Sequence, residues 1–134
     1  MSFYTLFGTD KDAERDGIWI DYGEAGRIKI ARAGGSNDAY NKALANFLKA
    51  NKHQIDTETM PDEVAERKMR ELFAQHVVKD WDGVKDAKGK TLTYSTENVV
   101  TLLTDLKDLY RDLSAQAAKI SNFRAAELEA DAKN

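Results

Sequence analysis

The side chains able to do chemistry are few and scattered. Two histidines, His53 and His76, fall in different segments, and the chain has no cysteine. A zinc site needs about four ligands and a Ser-His-Asp triad needs an oriented base, so neither constellation assembles from these residues. Without a thiol there is no thiolate nucleophile and no disulfide framework, which points to a reducing compartment. Asp10-Lys11-Asp12-Ala13-Glu14 sets carboxylates at alternate positions as a calcium loop does, but Arg15 stands where that loop needs its turn glycine. Asp80, Asp82 and Asp86 flank Gly83 without a third ligand at the required spacing or a closing glutamate. Turn chemistry accounts for both acidic stretches. Gly34-Gly35 lacks the lysine-serine pair of a phosphate loop and the spacing of a dinucleotide fingerprint. Acidic residues are abundant, yet nothing selects two of them as a hydrolase pair. His76 lies on the apolar stripe of a helix and reads as a core-edge histidine with one hydrogen bond, and His53 as an exposed residue after a helix end. The expectation is a protein without catalytic residues, cofactor or metal.

The elements that position these residues read as α+β. Ser2 to Phe7 is apolar and aromatic and predicts a strand, and Thr9 to Asp16 a charged connection. Ile18, Ile20 and Tyr22 share one face of a strand, and Ile28 and Ile30 alternate with Arg27 and Lys29 on the next. Gly23-Glu24-Ala25-Gly26 between them predicts a hairpin with one buried and one wet face. After Ala33-Gly34-Gly35, Ser36 or Asn37 caps a helix with Tyr40, Leu44, Phe47 and Leu48 on its stripe. A second helix starts at Pro61 and buries Ala65, Met69, Leu72, Phe73, His76 and Val77. Lys79 to Gly83 ends it, Trp81 anchors the following loop on the core, and a loop or short hairpin follows through Gly89, Leu92 and Tyr94. Ser95 or Thr96 caps a last helical region whose stripe runs from Val99 to Phe123, with a break at Thr104-Asp105. The expected architecture is one domain over residues 1–134. It has a small antiparallel sheet within about 2–33, about four helices over 36–130, and a tail from Glu127 that frays.

The 134 residues carry a net charge of -3, with both signs interleaved. Nucleic-acid binders cluster basic residues on one face, because neutralising phosphates releases counterions; Arg27, Lys29 and Arg32 are the nearest approach here. No apolar run approaches the roughly 20 residues of a membrane span, and the start at Met1-Ser2-Phe3-Tyr4 lacks the pattern of a secretory signal. Binding to protein is what remains. Phe3, Tyr4, Leu6 and Phe7 form an apolar segment able to pair with a partner's backbone as an edge strand. Leu109, Tyr110, Leu113, Ile120 and Phe123 lie on a long C-terminal helix whose stripe exceeds what one small domain covers, so self-association follows.

Several segments, in one order and with similar gaps, resemble the tail assembly chaperones of long-tailed, siphovirus-like bacteriophages. They are Gly17-Ile18-Trp19-Ile20-Asp21-Tyr22, Ile28 to Gly35 with Asn37 and Tyr40, Glu63-Val64-Ala65-Glu66-Arg67, Asp80-Trp81-Asp82-Gly83-Val84 with Gly89, and Tyr94 to Val100. The sequence departs at Lys107, where similar proteins often carry proline. The resemblance implies no enzymatic activity and no cofactor. It implies a homo-oligomer in the host cell cytoplasm that coats the tape measure protein, keeps it soluble and helps recruit the major tail tube protein, and that is absent from the mature virion. It also implies a longer product made by translational frameshifting; Ala132-Lys133-Asn134 is compatible with a slippery codon run. Two other readings stand beside it: a structural tail or connector protein of the virion, and a small regulator using a helix-turn-helix within Pro61 to Val78 or Glu97 to Leu113.

Overall fold

A computed structural model describes the backbone of residues 1–133 and the side chains of residues 1–129. In chain order the elements are α1 (Phe3–Phe7), α2 (Lys11–Asp16), β1 (Ile18–Asp21), β2 (Arg27–Ile30), α3 (Asp38–Ala50), α4 (Lys52–Asp56), α5 (Asp62–His76), β3 (Val78–Asp82), α6 (Thr96–Asp105), α7 (Lys107–Ala118) and α8 (Ala125–Lys133). Short 3-10 turns occupy Gly23–Ala25 and Ile120–Asn122. The three strands form one antiparallel sheet in the order β1-β2-β3. The α+β class therefore holds: a small antiparallel sheet, then a predominantly helical remainder. Among the described residues no helix is long and apolar enough to cross a membrane.

The hairpin forms as its residues dictate. Gly23 and Gly26 take φ of 67° and 114°, and Ile28 and Ile30 pair with Ile20 and Ile18. The third strand does not come from the N-terminus. Ser2 instead accepts a hydrogen bond from the Thr5 amide and starts the short helix α1, while Gly8 closes it through Tyr4. Asp10 likewise caps α2, so Thr9 to Asp16 is not a bare connection. The strand beside β2 is β3, where a helix end and loop are expected from the sequence. Its inward residues, Val78 and Trp81, are three apart because Lys79 is extra: Ile30 pairs with Val78 and Lys29 with Asp80. That bulge breaks the two-residue period by which strands are recognised. Since α5 runs directly into β3, Pro61 to Val78 is not a helix pair.

The core lies between the inner sheet face and the helices. Ile28, Ile30, Val78 and Trp81 meet Phe73, Ala74 and Val77 of the α5 end, Val99 and Leu103 of α6, and Leu113 and Ala117 of α7. Trp81 anchors the loop after β3 as its sequence position implies, its indole N–H donating to the Leu92 carbonyl at 2.8 Å and its ring meeting Tyr94 edge-on at 5.7 Å. The outer sheet face is wet, with the Arg27 guanidinium 4.0 Å from the centre of the half-exposed Trp19 ring.

Two buried polar groups lock the frame. Asn37 caps α3 by accepting from the Tyr40 amide, and its side-chain amide donates to the Arg32 and His76 carbonyls at 2.9 Å each. It thus joins the exit of β2, the start of α3 and the end of α5. Glu14 is 1% exposed and accepts from Arg32 at 2.6 Å and Thr9 at 2.7 Å. Burial alone would raise its pKa; hydrogen bonds from Arg32, Thr9 and Ser36, with the Arg32 charge, outweigh that and hold the carboxyl below its ordinary value. Gly35, at φ 53°, makes room for this carboxylate, since a Cβ there would lie 2.0 Å from Glu14 Oε2.

The C-terminal helical region breaks beside Thr104-Asp105, as its sequence implies, and breaks a second time after Ala118, which the sequence does not announce. α6 ends at Asp105, Leu106 lies outside helical geometry between α6 and α7, and α7 gives way to the turn before α8. The break beside Thr104-Asp105 forms without proline at 107. Residues after this turn pair with the N-terminal segment: the Asp10 amide donates to Phe123, the Ala125 amide to Gly8, and the Arg124 side chain to Leu6. The backbone over Ala125–Lys133 is helical, and Asn134, part of the tail expected to fray and of the codon run considered above, lies outside the described residues.

Candidate protein-interaction surfaces

The aromatic segment of α1 is the most exposed apolar feature among the described residues. Phe3, Tyr4 and Phe7 are 79%, 89% and 62% exposed, and Leu6 is 38% exposed. The Phe3 and Phe7 rings, one helical turn apart, lie 6.4 Å centre to centre. A helix of this length does not hold itself together in water. The Ser2 and Gly8 caps and the pairing with residues 123–125 hold it, so the rings stand on a fixed base. Because the segment is helical and its backbone bonds are satisfied locally, the edge-strand pairing expected of it is replaced by presentation of side chains.

The C-terminal candidates separate into two groups. Leu113 and Phe123 are fully buried in the protein's own core and reach no partner without opening it. Leu109, Tyr110 and Ile120 are half-buried. Leu109 borders an apolar groove of about 360 Å³ between the hairpin turn and the joint of α6 and α7, where Leu106 is 49% exposed and Ile28 and Val84 form the floor. The structure therefore does not gather the nine candidate residues into one surface. It leaves the α1 cluster at one place and the groove at another.

A third feature was not anticipated from the sequence. α5 packs on α6 and α6 on α7, and between α5 and α7 runs a cleft of about 610 Å³. Its floor is Ala65, Met69, Leu103 and the Tyr110 ring, which stacks on Phe73 at 5.3 Å. Arg70 reaches into it with its Nε buried and without a hydrogen-bond partner. The nearest carboxylate, Glu66, is 4.0 Å from Arg70 Nη1, beyond hydrogen-bonding range. Burial raises the pKa of the Tyr110 phenol; a hydrogen bond with Ser114 and the Arg70 charge oppose that rise, and Tyr40 adds to it. Lys107 and Arg111 flank the opening, the latter paired with the exposed Asp108 at 3.3 Å. The sequence signal existed, since residues 65, 66, 69 and 70 and residues 107, 110, 111 and 114 are helical stripes, but which stripes would face each other was not readable.

The two histidines lie on different elements. His76 is half-buried at the end of α5, its pKa lowered by burial and by Lys79. His53 is exposed within α4. Among the described residues no group of three or more His, Asp or Glu side chains could hold a metal ion. Asp80, Asp82 and Asp86 divide between β3 and the following turn, where Asp86 accepts from the Lys88 and Lys90 amides at 2.9 Å.

Residues 35–134 match the model of a family described as YdaY prophage protein. No curated protein and no solved structure matches the chain.

Proposed function

The chain belongs to the YdaY prophage protein family, and from that premise we propose that it is a tail assembly chaperone acting by reversible protein binding rather than catalysis. It holds the tape measure protein soluble and extended, helps recruit major tail tube subunits, self-associates, works in the host cell cytoplasm and leaves before the virion is complete. A longer frameshifted form extends the same protein. The phage origin supports the reading, as does the segment-by-segment resemblance described above. The observation that carries it is α1: three aromatic rings largely exposed to solvent on a clamped base. Exposed apolar clusters of this kind carry a standing cost in solubility and mark contact sites for other proteins. A client such as a long apolar helix is gripped broadly by aromatic side chains that lose little rotamer entropy on contact.

Co-expression with the tape measure protein of the same prophage, followed by affinity capture of this chain, tests the proposal. Soluble tape measure protein is expected in the captured fraction with the wild-type chain, and much less with Phe3→Ser/Tyr4→Ser. Tape measure protein that stays insoluble with both the chain and its frameshifted form refutes the chaperone role, and stoichiometric recovery of the chain in purified virions would make it a structural tail component.

A further inference from the structure

We infer that the cleft between α5 and α7 is a docking site for an acidic amphipathic helix of a partner protein, with Arg70 and Lys107 receiving its carboxylates. The inference goes beyond the chaperone reading and does not depend on it.

The shape favours a helix. Two helices bound the cleft along stripes of about two turns each, and its floor is apolar at Ala65, Met69 and Leu103. A third helix laying leucine-like side chains into such a trough is a recurrent mode of recognition. The cleft volume of about 610 Å³ is in the range that binds ligands.

The charge fixes which helix. Arg70 lies in the wall with 15% of its side chain exposed and its Nε unpartnered, and Glu66 is too distant to bond it. Leaving a buried guanidinium N–H unpaired costs folding free energy, and such a group calls for an explanation. Lys107, at the first turn of α7, makes no ion pair among the described residues. That turn has no side-chain cap, so its amides add positive potential on the same side. Arg70 and Lys107 against Glu66, with Arg111 paired to the outward Asp108, leave the cleft positive on a chain whose net charge is -3. A carboxylate entering there meets the accessible part of the Arg70 guanidinium and the exposed Lys107, and its helix gains burial on the floor. The Tyr110 and Ser114 hydroxyls complete the polar side of the trough.

The experiment titrates the 15N-labelled full chain with two blocked helical peptides of about four turns. Both carry the same leucine stripe, one flanked by glutamates and the other by lysines. The glutamate peptide is expected to move amide signals of residues 65–70 and 103–114 and to bind at least tenfold more tightly than the lysine peptide. Arg70→Met and Lys107→Glu are each expected to weaken it about tenfold or more, with the thermal midpoint of Arg70→Met unchanged or raised because an unpaired donor is removed. Lys107 is exposed, so its variant reports on binding even where Arg70→Met perturbs folding. Equal binding of the two peptides, signals moving elsewhere, no binding at millimolar peptide, or indifference to Lys107→Glu each overturns the assignment. Peptide binding in the cleft with failed tape measure capture would remove the chaperone reading and leave this one standing. Capture that both variants leave intact, with no peptide binding, would do the reverse.

Discussion

Replacing Glu14 with glutamine tests whether the fold depends on a buried charge pair. The carboxylate is 1% exposed and accepts from Arg32 and Thr9, while Arg32 keeps 22% of its side chain in solvent. Removing one member of a buried pair costs about 3–5 kcal/mol when the other charge is stranded. Two features lower that figure here. Glutamine still offers an oxygen to Thr9 or Arg32, and the exposed part of Arg32 remains hydrated. An expected loss of about 2–3 kcal/mol at pH 7 follows, or roughly 8–12 °C in midpoint for a chain of this size. The pH dependence carries the sharper check. Because the native carboxyl titrates below its ordinary 4.5, its stabilisation is fully present above that value and is lost as pH falls through the native pKa. Other carboxylates titrate in both proteins, so the difference between them isolates Glu14. Urea unfolding of both proteins from pH 7 down to about pH 3 should show the gap closing below about pH 4.5 as wild type loses its advantage. Equal stability at neutral pH, or a gap that persists or widens in acid, would refute the account.

Trp81→Ala is expected to cost about 3–5 kcal/mol, since the ring is buried and its N–H holds the Leu92 carbonyl; an unchanged urea midpoint would mean the indole is not packed. Asn37→Ala removes a helix cap and strands the Arg32 and His76 carbonyls, for an expected loss of about 2–3 kcal/mol, and a loss below about 0.5 kcal/mol by denaturant titration would show that water replaces both bonds. Phe3→Ser/Tyr4→Ser should leave the thermal midpoint within about 2 °C of wild type while reducing self-association in sedimentation velocity, because both rings stand in solvent and Phe3 meets the likewise exposed Phe7; a large fall in midpoint would place them in the core instead.

The hairpin was readable because both signals are local: alternation of Ile18, Ile20, Ile28 and Ile30, and glycines where φ must be positive. The caps were readable to within a residue for the same reason, as Ser36 or Asn37 and Ser95 or Thr96; the structure uses Asn37 and Ser95, each satisfying an amide three residues on. What failed was settled at a distance. Phe3 to Phe7 has strand composition, yet the sheet edge is taken by Val78–Asp82, which carries two aspartates and a bulge at Lys79. The break at Thr104-Asp105 in the apolar stripe was readable, but not the turn of α7 after Leu106 that buries Leu113 and leaves Leu106 in solvent. Among the site candidates, exposure of Phe3, Tyr4 and Phe7 follows from their place at the margin of the fold. The burial of Leu113 and Phe123 and the placing of Arg70 and Lys107 on one cleft depend on how the helices cross, which no window of sequence contains.

The pairing of residues 8–10 with residues 123–125 has a consequence for synthesis. Contacts so far apart in the chain form late, because closing the intervening loop costs entropy before any contact repays it. On the ribosome the hairpin and the helices of the middle of the chain can form in turn, but the base that fixes α1 is missing until Phe123 to Ala125 have emerged. During that interval the aromatic segment is tethered at one side alone and is free to sweep the nascent chain's surroundings. The rings therefore reach their final setting only after residues 123–125 have emerged, so the time a ribosome takes to translate the stretch between the two segments sets how long they are unfastened.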